Sequence, residues 1–509
     1  MIAALSLRLL LCLGLLVPAI LPAAEKARPN VLFIIADDLN TSLGSYGHPL
    51  AKTPNLDKLA ARGVRFEKAA CQFPLCGPSR NSMLTGLYPN TNGILTNGQL
   101  FRQTIPSHQS LSQAFRLSGY FAARIGKLYH YNVPLSIGTN GHDDPGSWEM
   151  EINPTGSDRM EDMDHTFSLI PGSYGGTLSW YASPNPDEKH TDGLMAREAA
   201  WVLERCAKDK SRPFFLALGF FRPHTPYIAP KTWFEGYPVD KMPVVQGVKE
   251  DQADLPKHAL GSYKKEQDNL TDDLRRQALQ AYLASISFMD AQAGVVLDTL
   301  DRLGLSENTV VVFTSDHGYH LGEHGLWQKQ SLFEESARVP LIMAGPGVTQ
   351  GAVAQAPVGL IDLYPTLAEL CGVKAPANLQ GQSLVPMLKD PKAEGRGWVI
   401  SQVVRGGGFK RMGASAAAGD NGKRIFGYSL RTPRWRYTEW AEGKEGRELY
   451  DHDTDPKELT NLAEKPGHAA TVTELSTQLA GIVKTTYPTD GVTPKVKETG
   501  MWAPNLTDP

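Results

Sequence analysis

The stretch "PNVLFIIADDLN", Pro29 to Asn40, decides the fold. The apolar run from Val31 to Ala36 has no polar interruption and stops abruptly at Asp37 and Asp38. A run of this kind, rich in β-branched residues, suits a central strand covered on both faces of a parallel sheet. Working outward, "SLSQAFRLSGYFAARIGKLYH" predicts a helix to Leu117, Gly119 as its C-cap, a strand from Tyr120 to Ile125, and then Gly126-Lys127. "RPFFLALGFFRPHTPY" is a further buried strand that runs out into Arg222, His224 and two prolines. Thr271 to Leu303 is helical, with Thr271 as N-cap, Asp272 and Asp273 in the first turn and Gly304 ending it. "NTVVVFTSDHG" follows as another strand, ending in Asp316-His317. Strand and helix alternate, which argues for a mostly parallel α/β sheet with helices on both faces. Function in such sheets gathers at the carboxyl ends of the strands. Four strand ends here carry polar groups: Asp37/Asp38, Lys127, His224 and Asp316/His317.

Residues 1–24 read as a secretory signal peptide, with Arg8 ahead of a short apolar run from Leu9 to Ile20 and small residues at Ala23 and Ala24. That run is short for a membrane span, and no later segment is long enough to be one. The expected destination is secreted, periplasmic or lumenal. About 485 residues remain, enough for more than one core. The formal charge of -3 shows no basic excess, which argues against a nucleic-acid partner. Past residue 375 the texture changes to short antiparallel-type strands ("WVISQVV", "GYSLRTPRWRYTEW", "ELYDHD") and a terminal helix from about His468 to Val483. The expected division is a catalytic domain over 25–395 and a smaller α+β unit over 396–509.

Asp37, Asp38 and Asp316 supply hard anionic oxygens, with His317 beside them. Such a set suits a divalent cation, and its oxygen richness favours Ca²⁺, or less readily Mg²⁺, over zinc. "HLGEH" (His320 to His324) matches a zinc-protease string, but Gly318, Gly322 and Gly325 argue against the helix it needs. "DHDTDP" from Asp451 has Pro456 and Leu462 where a calcium loop needs Gly and Glu. In "CQFPLCGPSRNSMLTG", Cys71 and Cys76 could form a disulfide, or Cys76 could be a nucleophile at a helix start, with Gly77 as N-cap and Pro78 at the first helical position. A zinc knuckle lacks its second pair. At a helix start, beside Arg80, an anion such as sulfate, phosphate or carboxylate is favoured.

"CGPSRNSMLTG" resembles the signature of type I sulfatases, in which the cysteine of a C-x-P-S-R core is oxidised to formylglycine. Gly77 stands where Ser, Thr or Ala is usual. The likeness continues through "NVLFIIADDLNTSLGSYG", "GKLYHY", "RPHTPY", "TSDHGYHLGEHGLWQKQSLFEESARVPLI" and "ELYDHDTDPKELTNLA", and so covers nearly the whole mature chain. Within the family it is nearest to the iduronate-2-sulfatase branch, on "GKLYHY", "GFFRPHTPY", "AYLASISFMDAQAG" and "GYSLRTPRWRYTEW".

The resemblance implies an alkaline-phosphatase-like α/β fold with a smaller antiparallel C-terminal domain. It implies a calcium shell of Asp37, Asp38, Asp316, His317 and the residue made from Cys76, with His317 where many sulfatases have Asn. It implies a gem-diol nucleophile at position 76 and a sulfo-enzyme intermediate, with Arg80 and Lys127 orienting charge. His130 is implied as the base that regenerates the aldehyde, and His224 and Lys329 as the groups at the sulfate and leaving oxygen. The implied partners are a sulfated carbohydrate, with a 2-O-sulfated uronate as the most specific substrate, and a formylglycine-generating enzyme. The implied alternatives are a formylglycine-dependent phosphonate monoester hydrolase or phosphodiesterase, and an inactive binder of sulfated glycans. The loops from Asn132 to Asp192 and Pro238 to Asp268 are expected to shape the pocket, and Arg431 to meet a substrate carboxylate. Cys71, Cys206 and Cys371 cannot all pair with one another, so at least one is expected as a free thiol.

Overall fold

A computed structural model describes residues 28–406 and 424–495. The signal peptide read over 1–24 lies outside the described residues. Eight strands form the main sheet: β1 (Asn30–Ala36), β2 (Gly63–Phe66), β3 (Phe121–Gly126), β4 (Met150–Ile152), β5 (Phe214–Gly219), β6 (Thr309–Ser315), β7 (Leu341–Ala344) and β8 (Ala352–Ala354). Their order across the sheet is β8–β2–β7–β6–β1–β5–β3–β4, which puts β1 in the interior as its apolar run requires. All neighbours are parallel except β7, which runs antiparallel to both β6 and β2. The cause lies in the connection. A parallel return needs a long crossover, usually helical, whereas the chain between β6 and β7 holds no helix longer than the four residues Glu334–Ala337.

The side chains of β1 alternate between two buried layers. Leu32, Ile34 and Ala36 pack beneath helices α2 (Thr191–Lys208) and α3 (Asp272–Arg302). Val31, Phe33 and Ile35 face the layer that includes helix α1 (Cys76–Thr85), Leu111, Phe115, Leu363 and Leu367. Burying each large side chain of this kind contributes about 1.5–3 kcal/mol. α3 is capped as its sequence predicts: Thr271 Oγ1 accepts from the Leu274 N–H at 3.2 Å, and Gly304 turns the chain away at φ +66°.

The C-terminal part is a four-stranded antiparallel sheet in sequence order, β9 (Val399–Gly406), β10 (Arg424–Arg431), β11 (Trp435–Trp440) and β12 (Arg447–Asp451). Its terminal helix α4 (Ala469–Thr485) covers Leu430, Tyr437 and Leu449 with Leu475, Leu479 and Ile482. Val403, Trp440 and Tyr450 instead pack on Phe73, Leu75, Leu326 and Phe333 of the α/β part, so the seam between the two sheets is an apolar core.

Candidate active site

Parallel pairing fixes where the strands end. Ala36 lies opposite Ser315, and Gly126 opposite Gly219. The residues that leave β6, β1, β5 and β3 therefore emerge side by side along one edge. The structure brings together there the ten residues implied for the metal shell and the catalytic roles.

α1 begins under that edge. Cys76 is itself the first helical residue and Leu75 occupies the N-cap position, so Gly77 is not the cap. The reason is long-range: Asn97 Oδ1 accepts from the Gly77 N–H at 2.8 Å and satisfies the helix start from outside. A Cβ on Gly77 would stand 3.0 Å from Asn97 Cα and from the Thr96 carbonyl oxygen, which accounts for glycine where a larger residue is usual. The four described cysteines, Cys71, Cys76, Cys206 and Cys371, are all free, so the Cys71–Cys76 disulfide is set aside.

The Cys76 sulfur lies 3.3 Å from His317 Nε2, 3.3 Å from Lys329 Nζ and 3.9 Å from Asp38 Oδ1. Burial alone would push its thiol up, but Lys127 and Lys329 outweigh burial and hold it well below the ordinary range. Arg80, with no exposed surface, donates through Nε to Asp316 Oδ2 at 2.8 Å and through Nη2 to Asp37 Oδ1 at 3.2 Å. Its Nη1 donates to the carbonyls of Lys127 at 2.5 Å and Leu128 at 3.2 Å, tying the end of β3 to those of β1 and β6. Lys127 Nζ donates to Asp37 Oδ2 at 2.6 Å, and Lys329 Nζ to both oxygens of Asp38 at 2.5 and 2.8 Å.

Asp38 has φ +63°, a left-handed conformation that aspartate tolerates better than most residues. It is held by the Asp316 carboxylate on its N–H at 3.1 Å and the Tyr282 hydroxyl on its carbonyl at 2.8 Å. Local strain of this sort persists only where the surroundings over-determine it.

The donor set fits a divalent cation. Ligand atoms of Asp38, Cys76, Asp316 and His317 all lie within 4.8 Å of one another, as do those of Asp37, Asp38 and His224. All three carboxylates are buried. His317 Nδ1 lies 2.9 Å from the Gly318 carbonyl, so Nδ1–H donates there and Nε2 faces the carboxylates. Metal-binding histidines are oriented in this way. Burial pulls the His317 imidazole down, yet Asp316, Cys76 and Asp38 outweigh it and lift it to about 9, which shows how strongly this shell attracts positive charge. Three carboxylates and one imidazole make a hard, oxygen-rich set.

His224 is positioned similarly, with Nδ1 2.6 Å from the Thr225 carbonyl and Nε2 3.8 Å from Asp38 Oδ2. His130 is buried, its Nδ1 has no partner, and its ring faces the Cys76 sulfur. Burial holds the His130 imidazole down to about 4, so it is a neutral base at pH 7.

Several supporting residues escaped sequence reasoning. Tyr282 sits in mid-helix and carries no local signal. Asp192 accepts from the Phe221 and Arg222 N–H groups at 3.0 Å each, and Asp158 accepts from Arg222 Nη2 at 2.7 Å, which together set the loop carrying His224. They belong to the 132–192 region, which buttresses the site through them. Arg431 is corrected. It is 4% exposed, 3.4 Å from Glu334 and donates to the Thr432 and Pro433 carbonyls, so it is committed within the seam rather than offered to substrate.

The sulfatase family profile matches residues 29–373. A sulfatase from Formosa agariphila is 35% identical over 457 residues, covering 86% of this chain and 84% of that protein. The iduronate 2-sulfatase of Mus musculus is 30% identical over 523 residues, covering 86% and 91%. A phosphonate monoester hydrolase of Agrobacterium radiobacter, at 23% identity and a TM-score of 0.71 over 90% of this chain and 96% of that one, shares the alkaline-phosphatase-like fold.

Proposed function

The chain belongs to the sulfatase family and is a sulfuric ester hydrolase, and from that premise we propose that it is an exported, calcium-dependent enzyme acting on a sulfated saccharide. A 2-O-sulfated uronate is the substrate we assign. The likeness to iduronate 2-sulfatase over 86% of the chain supports that class, and the signal-like sequence over 1–24 supports export. The observation that carries the reading is the convergence of Asp37, Asp38, Asp316, His317, Arg80, Lys127 and Lys329 on Cys76.

Asp37, Asp38, Asp316 and His317 would hold the calcium ion, which when bound supplies Lewis-acid polarisation of a sulfate oxygen. Cys76, matured to formylglycine, would supply the oxygen nucleophile toward sulfur. Arg80 and Lys127 lock Asp37 and Asp316 in place and keep the positive field directed at position 76. Lys329, 3.3 Å from the Cys76 sulfur, and His224, whose Nε2 faces the same space, are placed to neutralise charge on sulfate and protonate the departing alcohol oxygen. His130, neutral and with one nitrogen unpartnered, would take the proton from position 76 that lets sulfate leave.

The test is release of inorganic sulfate from a 2-O-sulfated uronate disaccharide, with a phosphate diester assayed in parallel. Sulfate release is expected to dominate, to fall to background after chelation, and to return with Ca²⁺ more fully than with Mg²⁺. Faster diester turnover would instead assign the phosphonate hydrolase class. Binding of sulfated polymer without release would assign the silent binder.

A further inference from the structure

A second cluster of titratable groups lies in the seam between the α/β part and the C-terminal sheet. His324 belongs to the turn Glu323–Gly325, Glu335 to the short helix Glu334–Ala337, and Glu458 to the chain beyond β12. The "HLGEH" string therefore forms no zinc-protease helix; its last histidine has φ +54° and turns into the seam. We propose that His324, Glu335 and Glu458 form a further divalent-cation site, of the one-nitrogen, two-carboxylate kind that zinc-class ions take, joining the loop that carries Lys329 to the C-terminal sheet.

The geometry argues for it at the imidazole first. His324 Nδ1 lies 3.0 Å from Asp251 Oδ2, and the ring stacks on Phe333 at 3.8 Å between centroids and 13° between planes. The carboxylate fixes the proton on Nδ1 and the phenyl ring fixes the plane, the arrangement that orients metal-binding histidines. Nε2 is then the ring atom left to face the opposing carboxylates. The residue is 1% exposed and Nε2 has no hydrogen-bond partner. It points at Glu335 Oε2, 3.7 Å away, which is also buried and without a hydrogen-bond partner. Burial pulls the His324 imidazole down, but Asp251 and Glu335 outweigh it and lift it to about 10, so a cation bound here takes the place of the Nε2 proton. Ligand atoms of a tetrahedral site with bonds of about 2.1 Å stand about 3.4 Å apart. An oxygen of Glu458 completes the set, all three ligand atoms lying within 4.8 Å of one another.

Glu458 is shared. It accepts from Arg436, from His452 at 2.8 Å and from the Glu334 N–H at 2.8 Å, and the cation would use a remaining lone pair. Arg436 is shared between Glu334 and Glu458, Arg431 is paired with Glu334, and Arg338 with Glu67 and Glu334, so none of the three is paired with Glu335. The surroundings hold an excess of acid. Glu323 stands near enough to repel Glu335, and Glu448 to repel Glu458, and a dication there offsets that repulsion. None of its three ligands belongs to the catalytic set, and the site stands independently of the proposed substrate.

The test is a titration of the full-length, calcium-loaded protein with Co²⁺, followed by its visible absorption, with metal content measured in parallel. One equivalent beyond calcium is expected, with a tetrahedral cobalt spectrum. Glu335→Gln, a conservative change at a half-buried carboxylate, is expected to weaken that equivalent at least 10-fold. Asp251→Asn should weaken it 10- to 100-fold by releasing the ring. An Asp316→Asn variant, altered only at the catalytic shell, should still bind it. Two results would overturn the proposal: no extra equivalent in the unaltered protein, or one that survives Glu335→Gln and vanishes in Asp316→Asn. A proton would then bridge His324 and Glu335.

Discussion

Cys76→Ala is expected to lower sulfate-ester turnover at least about 10⁴-fold, while the protein melts at an unchanged temperature. The magnitude is that of deleting a nucleophile on which both half-reactions depend. The unchanged stability follows from the sulfur's surroundings. Its neighbours are His317, Lys329 and Asp38 rather than packed hydrocarbon. Asp38 keeps Lys329 at 2.5 Å and Asp316 keeps Arg80 at 2.8 Å in its absence, so no buried charge is orphaned. Peptide mass spectrometry across 71–86 reads the same residue directly and should find the aldehyde at 76 in protein made with a formylglycine-generating enzyme. An unmodified thiol in fully active protein would sink the mechanism. An unmodified thiol in inactive protein would move the fault to maturation, and Gly77 would be the first suspect.

What could be read from the sequence divides along physical lines. The four polar strand ends were legible because each strand is a short apolar run closed by a charged residue. A parallel sheet sends all such ends to one edge, so Asp37, Lys127, His224 and Asp316 could be grouped without coordinates. Partners distant in sequence were not legible. Nothing around Arg80 shows that it spans Asp37, Asp316 and two carbonyls of the β3 exit. Nothing near Gly77 shows that Asn97 caps its helix. Arg431 departs from its expected role for a related reason. The alternation of a strand tells that a side chain lies on one of two faces, and tertiary packing decides that this face meets Glu334 in the seam. The reversed strand β7 leaves no mark in its own residues, since "LIMA" is as apolar as the cores of the strands that run the other way.

Arg80→Ala is expected to remove both activity and stability, which separates it from the change at Cys76. Arg80 has no exposed surface, and four of its five N–H donors are placed on two carboxylates and two backbone carbonyls. Burying charges is costly, and breaking such a pair from one side leaves the other charge uncompensated, at about 3–5 kcal/mol. Asp37 retains Lys127 at 2.6 Å, so the larger share falls on Asp316, which keeps His317 at 3.6 Å as its ion-pair partner beside the N–H groups of Asp38 and His317. Burial would push the Asp316 carboxyl up, and Arg80, ahead of His317, is what holds it far below its ordinary range. In the variant that carboxyl should rise, calcium should bind more weakly, and part of the lost stability should return when calcium is saturating. Arg80→Lys should recover some stability and little activity, because one ammonium cannot span two carboxylates and two carbonyls. Thermal melts of the three proteins with and without calcium, beside sulfate release, make the comparison. An alanine variant that melts with the unaltered protein would show that Asp37 and Asp316 are held by something other than this guanidinium.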